Sequence, residues 1–127
     1  KSKAKNLIAT CHILVEQYHG DVPREFDQLV ELPGVGRKTA NVVVSVLFGT
    51  PAIAVDTHVF RVSNRLKLGI AKTPEEMEQK LQKAIPKKDW AAAHHWLIYH
   101  GRRLCKARKP LCNECFLNHL CPSAGKV

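Results

Sequence analysis

Apolar residues recur at spacings of three and four along almost the whole chain. Leu7, Ile8, Cys11, Leu14, Val15 and Tyr18 form one such set and predict an amphipathic helix over residues 3–19. Cys11 lies on its apolar side and is expected to be a buried core thiol. His19-Gly20-Asp21 breaks the pattern, and Pro23 is expected to open a short helix with Phe26, Leu29 and Val30 along its buried side. Pro33, Gly34 and Gly36 then impose a tight turn. A helix from about Arg37 to Phe48 follows, with Lys38, Asn41 and Ser45 on one narrow polar stripe. Val42, Val43, Val44, Val46 and Leu47 cover most of the rest, so this helix is expected to be largely buried.

Residues 49–55 read as an extended apolar connection, and Asp56 can cap a helix carrying Val59, Phe60, Val62 and Leu66. Thr73-Pro74-Glu75-Glu76 has the form of a capping box with Pro at the first helical position. That helix runs through Met77 and Leu81 to Ile85 and is stopped by Pro86. A last long helix, over about 88–103, is expected to bury Trp90, Ala93, Leu97 and Ile98. No stretch alternates long enough to build a sheet, so the predicted fold class is all-α.

Composition sharpens this picture. At 127 residues, 45% of them hydrophobic, the chain can bury one core or two small ones. No apolar run reaches the length of a membrane span. Twenty Lys and Arg against eleven Asp and Glu leave a formal charge of +9, which favours an anionic partner, nucleic acid foremost. With five cysteines and no secretory signal in view, a disulfide framework is not expected.

Two places can carry chemistry. The first is Leu32-Pro33-Gly34-Val35-Gly36-Arg37-Lys38, a turn between two helices whose glycines leave backbone N–H groups bare beside a helix N-terminus. Such a helix-hairpin-helix can bind phosphate without reading bases. Lys38 stands in the first helical turn. A lysine attacks only as the neutral amine, which at an ordinary value near 10.4 is about one molecule in a few thousand at pH 7. A helix N-terminus disfavours positive charge, and burial disfavours it further, so a lysine placed here is a candidate nucleophile. A phosphate contact would also suit it. The helix carries the chain about 16 Å away, and an extended 49–55 can span about 23 Å back. Asp56 is therefore a candidate proton-handling partner as well as a plain N-cap.

The second place is the array Cys105, Cys112, Cys115 and Cys121, spaced C-x6-C-x2-C-x5-C. Four thiolates suit either zinc or an iron–sulfur cluster. Only Cys112 and Cys115 form the C-x2-C pair usual for zinc knuckles, but spacing alone leaves the metal open. Arg102, Arg103, Lys106, Arg108 and Lys109 surround the array, either as a solvated basic loop or as phosphate contacts.

Taken together, the hairpin from Leu32 to Asn41, the run Val55-Asp56-Thr57-His58-Val59-Phe60-Arg61-Val62 and the cysteine spacing resemble the bacterial endonuclease III family of helix-hairpin-helix DNA glycosylases. The resemblance covers essentially the whole chain. It implies an all-α fold, with residues 1–50 in a helical barrel lobe and 51–127 in a lobe ending in a [4Fe-4S] cluster loop at 105–121. It implies removal of oxidised pyrimidines and β-elimination at abasic sites, with Lys38 as the Schiff-base nucleophile and Asp56 as its acidic partner. Cys105, Cys112, Cys115 and Cys121 would hold the cluster. Leu32, Gly34, Val35, Gly36, Arg37, Lys106, Arg108 and Lys109 would contact DNA, with a monovalent cation at the hairpin. The implied partner is double-stranded DNA with a damaged base or abasic site, bound by a monomer in the bacterial cytoplasm, with no membrane role. Family members carry a substantial segment ahead of the position of Lys1, so the chain corresponds to a C-terminal portion. Rival readings are a non-catalytic DNA-binding module, with Lys38 only a contact, and an electron-transfer protein.

Overall fold

Six α-helices and two short 3-10 turns carry the chain in a computed structural model that describes all 127 residues, with no strand. The helices are α1 (Ser2–Tyr18), α2 (Phe26–Val30), α3 (Arg37–Phe48), α4 (Thr57–Leu66), α5 (Pro74–Ala84) and α6 (Trp90–Arg103). No helix is long and apolar enough to cross a membrane. The chain divides into two compact units, Lys1–Thr50 and Pro51–Val127.

In the first unit, α1 ends where the pattern breaks. His19 takes a left-handed conformation and the Gly20 N–H returns to the Leu14 carbonyl at 2.8 Å. Pro23 does not open α2; it is buried in an irregular stretch, and Glu25 is the N-cap. The core is small: Leu29, Leu32, Ala40 and Val44, with Asn41 beside them. Two further sequence expectations fail here. Cys11 is exposed, and α1 buries no residue at all. Likewise α3 buries only Ala40, Asn41 and Val44, while Val46 and Leu47 remain 65% and 60% exposed. The periodicity marks a face able to be buried; burial also needs an opposing surface, which residues 1–50 do not place on these faces.

The second unit is better packed. Ile53, Val55, Val59, Val62, Ala71, Met77, Leu81, Ala93 and Leu97 form one continuous core, with Phe60, Leu66, Ile85, Trp90 and Ile98 packed around it. Its closest packing is α4 on α6, made possible by Gly101. A Cβ there would sit 3.1 Å from Val62 Cγ2 and from His58 Cβ. Asp56 caps α4, its Oδ1 accepting from the Val59 N–H at 2.8 Å. Thr73 Oγ1 caps α5 by accepting from the Glu76 N–H at 3.2 Å, with Pro74 at the first position. The capping box is a variant: Glu76 reaches back to the Lys72 N–H, one residue before the cap. A 3-10 turn over Lys87–Asp89 takes the first residues assigned to the last helix, which starts at Trp90.

Candidate nucleic-acid interface and cluster loop

The hairpin is set by three local features. Leu32 plugs the first unit's core at 6% exposure, and its carbonyl accepts the Val35 N–H at 3.1 Å, closing the turn. Gly34 has φ +79°, where side chains other than glycine are strained, and a Cβ would lie 3.1 Å from Asn6 Cβ. Thr10 Oγ1 donates to the Pro33 carbonyl at 2.9 Å and ties α1 to the turn. Leu32 is therefore a structural anchor, and its side chain is not available to DNA. Gly36 needs no special backbone angle, since its φ of −96° with ψ −175° is ordinary extended chain. A Cβ on it would meet open space, so its contribution is clearance beside the helix start.

Gly36 is the N-cap of α3 and supplies no side-chain cap. The amides of Lys38 and Thr39 lie in the first turn, where no preceding turn offers a carbonyl. Lys38 is exposed. The burial expected around it is missing. Val35 is half-buried, and the Arg37 guanidinium stacks over the Phe26 ring at 5.2 Å from its centre. In the second unit, the half-buried Asp56 commits Oδ1 to its cap.

The cysteine loop follows α6. Cys105, Cys112, Cys115 and Cys121 line one largely apolar cavity with Leu66, Leu104 and Leu111. All four cysteines border the same space. The donor set fits an iron–sulfur cluster.

Sequence reasoning missed the residues that hold this loop. Arg65 Nη1 donates to Cys105 Sγ at 3.4 Å and to the Lys106 carbonyl at 2.7 Å, while Nη2 donates to the Ala107 carbonyl at 3.2 Å. Arg61 donates through Nε to the Cys105 carbonyl at 3.1 Å and through Nη2 to the Gly101 carbonyl at 2.9 Å. Asn118 Nδ2 donates to the Cys112 carbonyl, and His100 Nε2 lies 3.6 Å from Cys115 Sγ. Burial pushes the His100 imidazole below its ordinary value, toward the neutral ring. The one sequence signal was an Arg pair at i, i+4 on a helix whose other face is apolar. Lys106, Arg108 and Lys109 are exposed, and Lys109 is held at φ +49°, strained for a residue with a side chain.

Against known families, residues 1–87 match the HhH-GPD superfamily of base excision DNA repair proteins. The chain belongs to the HhH-GPD superfamily. Residues 105–121 match the iron-sulfur binding domain of endonuclease III, so this HhH-GPD chain carries a [4Fe-4S] cluster. It is 57% identical over 120 residues to endonuclease III of Rickettsia conorii, covering 94% of the chain and 57% of that protein. It is 53% identical over 126 residues to endonuclease III of Escherichia coli K12, covering 99% and 60%. A solved endonuclease III–DNA complex, a trapped covalent intermediate with an estranged adenine, superposes with TM-score 0.93 at 53% identity, over 98% of this chain and 59% of that one. The chain thus spans about three fifths of the length of these relatives.

Proposed function

We propose that the chain is the lysine- and cluster-bearing part of a base-excision repair DNA glycosylase that removes oxidised pyrimidines and cleaves the strand at the resulting abasic site. The observation that carries this reading is Lys38, exposed in the first turn of a helix without a side-chain cap, directly after the Gly34 turn. The trapped covalent complex of a relative supports a covalent route. In that route neutral Lys38 Nζ attacks C1′ of the damaged nucleotide. The bond from C1′ to the base breaks, and the pyrimidine leaves with the bonding pair and takes up a proton. Opening of the sugar ring gives an imine between Nζ and C1′. Loss of a C2′ proton expels the 3′ phosphate, and water releases Lys38. Asp56 moves protons in these steps through the oxygen not used in the cap.

The hairpin amides and the basic residues Arg37, Lys106, Arg108 and Lys109 bind phosphates, giving affinity that falls with salt and depends little on sequence. A monovalent cation at the hairpin belongs to the same reading. Cys105, Cys112, Cys115 and Cys121 are the ligands of the cluster, which supports the loop and takes no part in excision. The substrate is double-stranded DNA with a damaged base or an abasic site, met by a monomeric enzyme in the bacterial nucleoid.

Borohydride trapping on abasic DNA, with the complete protein, tests the reading. Lys38→Gln is expected to abolish the covalent adduct and strand cleavage while DNA binding persists. Asp56→Asn is expected to slow base excision with little loss of stability, because Asn caps helices about as well as Asp. Trapping by Lys38→Gln would move the nucleophile elsewhere. An unchanged rate in Asp56→Asn would leave Asp56 with its cap alone.

A further inference from the structure

The geometry points to Arg65 as a positioning residue that joins the two ends of the cysteine loop and tunes the group the loop holds. Arg65 lies in the last turn of α4, on the well-packed unit, while every loop cysteine lies about forty or more residues away in sequence. Its guanidinium serves the first end. One nitrogen donates both to Cys105 Sγ and to the Lys106 carbonyl, and another donates to the Ala107 carbonyl. Its main chain serves the last end. The Arg65 carbonyl accepts the Ser123 hydroxyl at 2.8 Å, two residues past Cys121, and Cys121 Sγ lies 3.8 Å from the same oxygen. One helix position thus sets the separation of the first and last sulfurs.

Two consequences follow from elementary chemistry. An N–H donated by a cation to a thiolate withdraws electron density from sulfur, which favours the more reduced form of a bound iron–sulfur group. Meanwhile the three hydrogen bonds on residues 105–107 hold the loop in a shape that includes the left-handed Lys109. A strained residue persists only where its surroundings over-determine it. Arg61 does not duplicate this role: it meets the Cys105 and Gly101 carbonyls and His58 Nδ1, and no sulfur.

The inference rests on Cys105 being a cluster ligand, and the test separates the two. Holoprotein purified anaerobically is compared as wild type, R65K and R65L by voltammetry and by the rate at which a ferrous chelator removes iron. R65L is expected to shift the midpoint to more negative potential and to release iron faster on the order of tenfold, as loss of an outer-shell partner commonly does. R65K keeps the charge but loses the planar fork, so its midpoint should fall between the two. Should R65L fail to take up iron, the R65K midpoint decides. A purely structural Arg65 would speed iron loss and leave the midpoint in place; unchanged midpoints in both variants overturn the proposal. Wild-type protein that is colourless and free of iron would overturn the cluster ligation as well.

Discussion

The two units bear the proposed chemistry on very different foundations. The second unit has a nine-residue core, against which Cys105 packs, and anchors its cysteine loop through Arg61, Arg65, Asn118 and Ser123. The first unit presents its hairpin on four buried apolar residues, and its longest helix buries nothing. Leu7 and Ile8 on that helix are 69% and 62% exposed, as are Val46 and Leu47 on α3 to a similar degree. The lesson is that hairpin shape and hairpin stability have separate causes. Shape comes from the Gly34 angle and the Leu32–Val35 turn, with the Thr10 hydrogen bond to the Pro33 carbonyl as a tie to α1. Stability comes from buried area, which this unit largely lacks.

Core truncation breaks the comparison most severely. Leu81→Ala, at a site with no exposure, is expected to cost about 2–5 kcal/mol. Leu47→Ala on the first unit should stay within about 0.5 kcal/mol. Both tryptophans, Trp90 and Trp96, lie in the second unit, so urea melts followed by fluorescence report that unit and those followed by helical circular dichroism report both. Equal costs for the two substitutions would show that the units are equally dependent on packing.

A smaller effect sharpens the point about shape. Gly34→Ala forces a side chain into the left-handed region and against Asn6, and is expected to cost about 1–2 kcal/mol, visible by circular dichroism and as weakened DNA binding. A neutral outcome in both measurements would mean that the turn can relax without Gly.

The smallest effect concerns the exposed start of α5. Hydrogen bonding from the Lys72 N–H, with further help from Lys80, lowers the Glu76 carboxyl below its ordinary 4.5. A depressed carboxyl stabilises the fold above 4.5 and loses that contribution as pH falls through its own lowered value. Glu76→Gln should therefore lower the melting temperature slightly at pH 7, and the difference should shrink as the pH falls below 4.5 through the lowered value. A constant difference across that range would remove the charge from the explanation.

Much of this was legible in residues alone. The bounds of α1, α3 and α5, the Asp56 and Thr73 caps and the all-α class follow from periodicity and capping chemistry, which act over a few neighbours. The hairpin and the cysteine spacing were legible for the same reason. Burial was not. Cys11 and the valines of α3 carry a pattern that says which face prefers to be dry, but an opposing surface must exist, and that is a property of the assembled unit. The Arg65 clasp was equally hidden, because it joins α4 to residues some forty positions later by hydrogen bonds that have no periodic trace. Local propensity and short-range chemistry determine elements and motifs; long-range packing alone decides which apolar faces are covered and which cations meet which sulfurs.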